Sequence, residues 1–157
     1  MAFQIHALDA DQFQHLFELS DADLTQHRAV RQFVDVCPGT PCRVSLEDAK
    51  VGEEVILVGY RHMEQATPYR AEHAVFVRKG AEVATPLPGQ VPELFRHRLI
   101  SLRGFDATGM MVEADAVEGT DLEAAIEKLF DDQRVDIVHL HYAKPGCFAA
   151  KVTRSPV

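Results

Sequence analysis

The stretch from Leu99 to Val117 constrains the fold more than any other, because two strand-like runs are joined there by Asp106-Ala-Thr-Gly109. Leu99 to Phe105 and Met110 to Val117 carry branched and apolar residues suited to a pleated surface, and Gly109 falls where the turn needs a positive backbone angle. So short a link permits only antiparallel pairing, since parallel neighbours need a crossover of a dozen residues or more. The chain ends on a second pair of the same kind, with Val135 to Tyr142 and Cys147 to Thr153 flanking Ala143-Lys-Pro-Gly146. Two such hairpins commit the sheet to a mostly antiparallel order.

The remaining elements follow from periodicity. Phe3 and Ile5 alternate with polar neighbours as in a first strand. Glu54 to Tyr60 is the strongest strand signal, since Val55, Ile56, Leu57 and Val58 are apolar on both faces, as in a strand lying mid-sheet. Ala74 to Val77 reads as another strand, with Met63 to His73 a long loop around Thr67-Pro68. Asp9-Ala-Asp-Gln12 has the form of a capping box, predicting a helix with Phe13, Leu16 and Phe17 on its inner face. Ser20 before Asp21 and Asp23 caps a second, short helix to about His27, and the Val30, Phe33, Val34, Val36 stretch fits helix and strand alike. Thr120-Asp-Leu-Glu123 opens a helix whose Leu122, Ile126, Leu129 and Phe130 recur at helical spacing. The expected architecture is α+β: a mostly antiparallel sheet built from hairpins, with helices packed on one face.

A chain of 157 residues makes one domain, 1–157, long enough to bury a core without disulfides or a structural metal. Sixteen basic against 24 acidic residues, a formal charge of -8, repel polyanions, so nucleic acid is not an expected partner and Arg96-His97-Arg98 reads as a solvated turn. The longest apolar run, Val55 to Val58, falls far short of the ~20 residues of a membrane span, and Met1-Ala-Phe-Gln-Ile-His-Ala-Leu8 lacks the basic start of a secretory leader. A cytoplasmic protein with no membrane contact is expected, and its three cysteines, an odd and low count, are expected to stay reduced.

Reactive side chains gather in two places. Residues two apart on a strand share a face, so His139 and His141 stand together, roughly 7 Å apart, as a pair able to chelate a metal. Cys147 is the nearest third ligand, and the hairpin register decides its side: paired with Tyr142, Cys147 lies opposite the histidines, and paired with His141 it lies beside them. Neither Cys-x2-Cys nor His-Glu-x-x-His occurs, so hydrogen-bonded structural histidines compete with the metal set His139, His141 and Cys147. The other cluster follows the loop Cys37-Pro-Gly-Thr-Pro-Cys42: Arg43 after it, and Tyr69 and Arg70 after Pro68, present guanidinium groups from stiffened backbone. Such forks hold carboxylate or phosphate, with His62 as a further donor, unless nearby acids such as Glu47-Asp48 engage them as supports. Arg43 beside Cys42 also suggests an activated thiol with His62 or His141 as its base, set against the ordinary burial of cysteine as a small apolar group.

These residues carry a resemblance. Pro41-Cys-Arg-Val-Ser-Leu-Glu-Asp-Ala49, Gly52-Glu53, His62, Pro68-Tyr-Arg70, Phe76-Val-Arg78, Leu102-Arg103 and Gly146-Cys-Phe148 together resemble the bacterial family called domain of unknown function 1203. The resemblance implies a single-domain bacterial protein and points to Cys42, Arg43, His62, Tyr69, Arg70, His141 and Cys147, while Cys37 lies outside the pattern. It establishes no activity and leaves any cofactor unknown. The leading expectation is a small anionic ligand bound among Arg43, His62, Tyr69, Arg70 and His141. An enzyme using Cys42, His141 or Cys147 is the second, and a dimerisation or partner-binding module with an apolar patch near Met110 and Met111 is the third.

Overall fold

The computed structural model describes residues 2–156. Strand β1 (Phe3–His6) is followed by 3-10 turns over Ala10–Gln12 and Gln14–Glu18 and by a short helix, α1 (Asp21–Gln26). Strands β2 (Ala29–Phe33), β3 (Glu54–Met63) and β4 (Ala71–Arg78) make an antiparallel three-stranded sheet with β3 in the middle. Then come β5 (Leu99–Phe105), β6 (Met111–Glu118), α2 (Leu122–Asp131), β7 (Ile137–Tyr142) and β8 (Phe148–Arg154). These strands and β1 form a five-stranded antiparallel sheet of order β1-β8-β7-β5-β6. The α+β class and both hairpins are as expected, and Gly109 turns the first with φ +85°. The strands divide between two sheets.

The pleat of the five-stranded sheet separates two chemistries. One face carries Phe3, Ile5, Val152, Ala150, Val138, Leu140, Ile100 and Leu102, none more than 1% exposed. Helix α2 lays Leu122, Ile126, Leu129 and Phe130 on that face and closes the larger core, each side chain contributing about 2 kcal/mol by leaving water. The opposite face is crossed by a register-matched row, His6, Lys151, His139, Arg103 and Ala114, one residue from each of the five strands. A second core lies under the smaller sheet, where Ile56 and Val58 of β3 and Val75 and Val77 of β4 meet Phe13, Leu16, Phe17 and Phe148.

Several local expectations are corrected. The helix expected after Asp9 is two 3-10 turns, because Phe13 between them takes φ -120° and interrupts the run, although Phe13, Leu16 and Phe17 are buried on schedule. Gly119–Asp121 is already a 3-10 turn, so Thr120 lies inside helical structure and the capping box does not form; Glu123 pairs with Arg96 instead. Ser20 does cap α1, its hydroxyl accepting from the Asp23 N–H at 3.2 Å. The ambiguous stretch becomes β2 because β3 supplies a ladder for it. The same strand runs on to Met63, which extends β4 back to Ala71 and places His73 opposite Tyr60.

Candidate functional site: an inter-sheet histidine cluster

Where the two sheets face each other, four imidazoles converge. Tyr60 and His62 on β3 share a face with Ile56 and Val58, and His73 on β4 shares one with Val75 and Val77, so strand alternation turns both histidines toward the five-stranded sheet. From that sheet β7 contributes His139 and His141, 2% and 0% exposed. His62 lies flat against both His73 and Phe148, with ring centroids 4.7 and 5.0 Å away, and meets His139 and His141 edge-on at 5.2 and 5.0 Å. His73 and His141 meet edge-on at 5.2 Å.

Two hydrogen bonds orient this group. The Gly146 carbonyl, which can only accept, takes a bond from Nδ1 of His141 at 3.1 Å, leaving Nε2 of the neutral ring as a lone pair. His62 Nδ1 faces His139 Nδ1 at 3.2 Å, so one ring donates to the other. Burial, more than any neighbour, drives the imidazoles toward the neutral form. It lowers His139 to about 4 and His62 to about 3, and His141 falls to about 2, with Arg103 and adjacent groups adding to each depression. His73 is lowered as well, by burial first and then by Arg103. Near neutral pH the cluster is therefore uncharged and rich in lone pairs.

The cluster opens on a cavity of about 550 Å³ whose lining includes His6, Arg61, His62, His139 and Lys151, with Asp9 and Glu64 as its acids. In the register row Lys151 and Arg103 flank His139 on either side. Among the described residues Arg61, Arg103 and Lys151 make no ion pair. Burial lowers the Arg103 guanidinium below its usual range.

Arg43 belongs to a different place. Only 1% exposed, it donates from Nε to the Phe148 carbonyl at 2.8 Å, from Nη1 to the Pro41 carbonyl at 2.7 Å and from Nη2 to Cys147 Sγ at 3.1 Å. Its guanidinium also stands 4.9 Å from the centre of the Tyr142 ring. This second cavity, about 370 Å³, is lined by Arg43, His97, Arg98, Tyr142 and Cys147 among others. The hairpin register explains the separation: a bulge after Leu140 sets His141 opposite Phe148, and the Tyr142 N–H bonds to the Cys147 carbonyl. Cys147 thus lies on the side away from the histidines, and the two nitrogens that join His141 come from His62 and His73, in place of His139 and the thiol.

Of the residues picked from sequence, the structure brings together His62, His139 and His141, and separately Arg43 and Cys147. Cys42 is buried, its sulfur accepting from the backbone N–H groups of Ser45 and Arg78 at 3.4 and 3.3 Å. Tyr69 is 37% exposed with its ring edge toward Phe105, and Arg70 is exposed; neither lines either cavity. The large apolar side chains with the greatest exposure near an open edge sit on and beside β2, at Val30, Phe33, Val36 and Val51, while Met110 is 40% exposed. Sequence reasoning passed over His73, assigned to a loop, and gave Arg103 a place in a strand and in the family resemblance but none among the site residues. The alternation His73, Val75, Val77 was the available signal for the first, and the register of β5 with β7 for the second.

The fold and cluster define a class: an α+β protein with imidazoles enclosed between two antiparallel sheets. The family model described as Protein of unknown function (DUF1203) matches residues 39–154, and the chain belongs to that family. The matched span contains His62, His73, Arg103, His139 and His141 as well as Arg43 and Cys147. The chain matches no curated protein and no solved structure. Among the described residues, no helix is long and apolar enough to cross a membrane.

Proposed function

We propose that the inter-sheet cavity binds a small anion bearing a carboxylate or phosphate group. The observation that carries this reading is the placement of Lys151 and Arg103 on either side of His139, without an acidic partner for either among the described residues, in a chain whose acids outnumber its bases by eight. Cations in such a chain ordinarily find carboxylates, and a partly buried guanidinium left without one is stabilised by an incoming anion. Lys151 and Arg103 stand two strand spacings apart, roughly 10 Å at the backbone; Lys151 lines the cavity, while Arg103 lies outside the lining and adds its positive charge from the far side of His139. Arg61 and His6 add donors from the cavity wall. Arg43 and Arg70 take no part in this site.

Titration calorimetry of the intact protein with inorganic phosphate and with succinate tests the reading. Binding that weakens at least ~10-fold in both Arg103→Ala and Lys151→Ala, with unchanged circular dichroism, supports it, since each variant removes one of the cations beside His139. Absence of binding by wild type to either anion, or binding as tight as wild type in either folded variant, overturns it.

One observation favours a second reading, thiol chemistry at the other cavity: Arg43 donates from Nη2 to the half-buried Cys147 sulfur, which places a cation against a nucleophilic atom. Alkylation by iodoacetamide faster at Cys147 than at the exposed Cys37 supports it. Slower alkylation, judged by loss of the fast phase in Cys37→Ser, rejects it.

A further inference from the structure

We propose that His62, His73 and His141 form a three-imidazole site for a divalent transition-metal cation of the zinc class. One ring nitrogen from each lies within 4.8 Å of the other two. Nε2 of His62, Nδ1 of His73 and Nε2 of His141 are buried with no hydrogen-bond partner among the described residues. Buried polar atoms are nearly always paired, and three orphaned lone pairs aimed at one region are accounted for by a shared cation. This is independent of the anion reading, which rests on Lys151 and Arg103.

The outer contacts are those that a metal site uses. A ligating histidine is held by the hydrogen bond that its other nitrogen makes, and His141 donates from Nδ1 to the Gly146 carbonyl while His62 Nδ1 meets His139 Nδ1. His139 then acts as a positioning residue: with His62 donating, the lone pair of His62 is fixed on Nε2. The ligand set selects the ion. Three neutral imidazoles suit zinc, cobalt, nickel or copper, whereas calcium and magnesium require oxygen, and this group contains no carboxylate.

Geometry also sets what must move. Zinc holds imidazole nitrogens at about 2.0–2.1 Å, which puts two tetrahedral ligands roughly 3.3 Å apart, so the rings close in by about 1 Å on binding. His73 is the ring free to make that adjustment, being half-buried and without a side-chain hydrogen bond. Three protein ligands leave a fourth position on a tetrahedral ion. The charge of Arg103, felt at His62, His73 and His141, opposes a bare cation there and favours an anion or hydroxide in that position.

The test is titration calorimetry of protein stripped with chelator, using Zn2+ and Co2+ as the probes, with the visible spectrum of the cobalt form as a second readout. Expected is one ion per chain, with a d–d spectrum of tetrahedral intensity. Loss of an outer-shell partner costs ~10–100-fold in affinity, so His139→Ala weakens binding within that range and His73→Ala by at least ~100-fold. His73→Ala is the decisive variant because the half-buried ring is removed with little disturbance to the core, whereas His141→Ala empties a fully buried site. His15→Ala, at an exposed histidine paired with His27, serves as the surface control and leaves binding unchanged. No uptake of either ion by wild type, undiminished uptake by folded His73→Ala, or loss of uptake in His15→Ala overturns the proposal.

Discussion

Replacing Arg43 by methionine keeps most of the side-chain stem and removes the guanidinium, which isolates what the buried cation does. Two backbone carbonyls, of Pro41 and Phe148, and the Cys147 sulfur lose their donors. Each buried carbonyl left without a donor costs ~1–3 kcal/mol. Removing the cation also removes its own desolvation cost, which offsets part of that loss. A net destabilisation of about 3 kcal/mol follows. For a protein of this length that corresponds to a fall in Tm of roughly 6–12 °C. With a urea m-value of ~2 kcal/mol/M the midpoint drops by about 1.5 M. Differential scanning calorimetry and urea unfolding followed by circular dichroism read both quantities. The paired control is Arg70→Met, at an exposed side chain without a hydrogen bond among the described residues, which shifts stability by no more than ~0.5 kcal/mol. An Arg43→Met Tm within about 2 °C of wild type refutes the view that this arginine braces the 40–48 loop against β8. Loss of phosphate binding in that variant without loss of stability would return Arg43 to the list of ligand contacts.

Asp48 is paired with Arg98 through bonds of 2.5 and 2.9 Å, with side-chain exposures of only 11% and 16%, so Asp48→Ala strands a mostly buried guanidinium and costs about 3 kcal/mol, read as a Tm loss. Burial pushes the Asp48 carboxyl up, but Arg98, the Gly39 N–H and His97 together hold it below its usual value. A carboxylate with a depressed folded pKa contributes stability above its unfolded value of about 3.9 and loses that contribution as pH falls through the folded value. The stability gap between wild type and Asp48→Asn is therefore full at neutral pH and closes below about pH 4; a gap that widens on acidification contradicts the assignment. Gly119 is buried, and a Cβ there meets the Phe95 carbonyl. Gly119→Ala thus forces the entry to α2 away from the Phe95 turn, costing about 2 kcal/mol or more in urea unfolding, and a neutral result shows that the turn yields.

The parts of the fold that were legible in the sequence are those where local period and turn chemistry agree. Gly109 and the flanking runs specify β5 and β6, and the spacing of Leu122, Ile126, Leu129 and Phe130 specifies α2. Where a residue's conformation is set by a distant partner, the sequence is silent. Ala71 to His73 lack strand character of their own and become strand because β3 continues past Tyr60. The site shows the same division. His139 and His141 share a face by alternation alone, but their meeting with His62 and His73 depends on two sheets packing, a contact between residues about 70 positions apart. The side taken by Cys147 hung on a bulge after Leu140 that no residue type announces.

The strict alternation along β7 has a consequence for how this protein can change in length. Insertion or deletion of one residue within 137–142 exchanges the two sides of the strand, sending imidazoles into the aliphatic layer under α2 and a leucine into the histidine cluster. Inserting or deleting two residues restores the alternation. The turn at 143–146 is constrained in another way, since the Ala143 N–H bonds the Leu99 carbonyl and the Gly146 carbonyl takes the bond that orients His141. A change of length at the turn thus leaves the two faces of the strand in place but moves the carbonyl that holds His141, while the strand beside it is held to even steps.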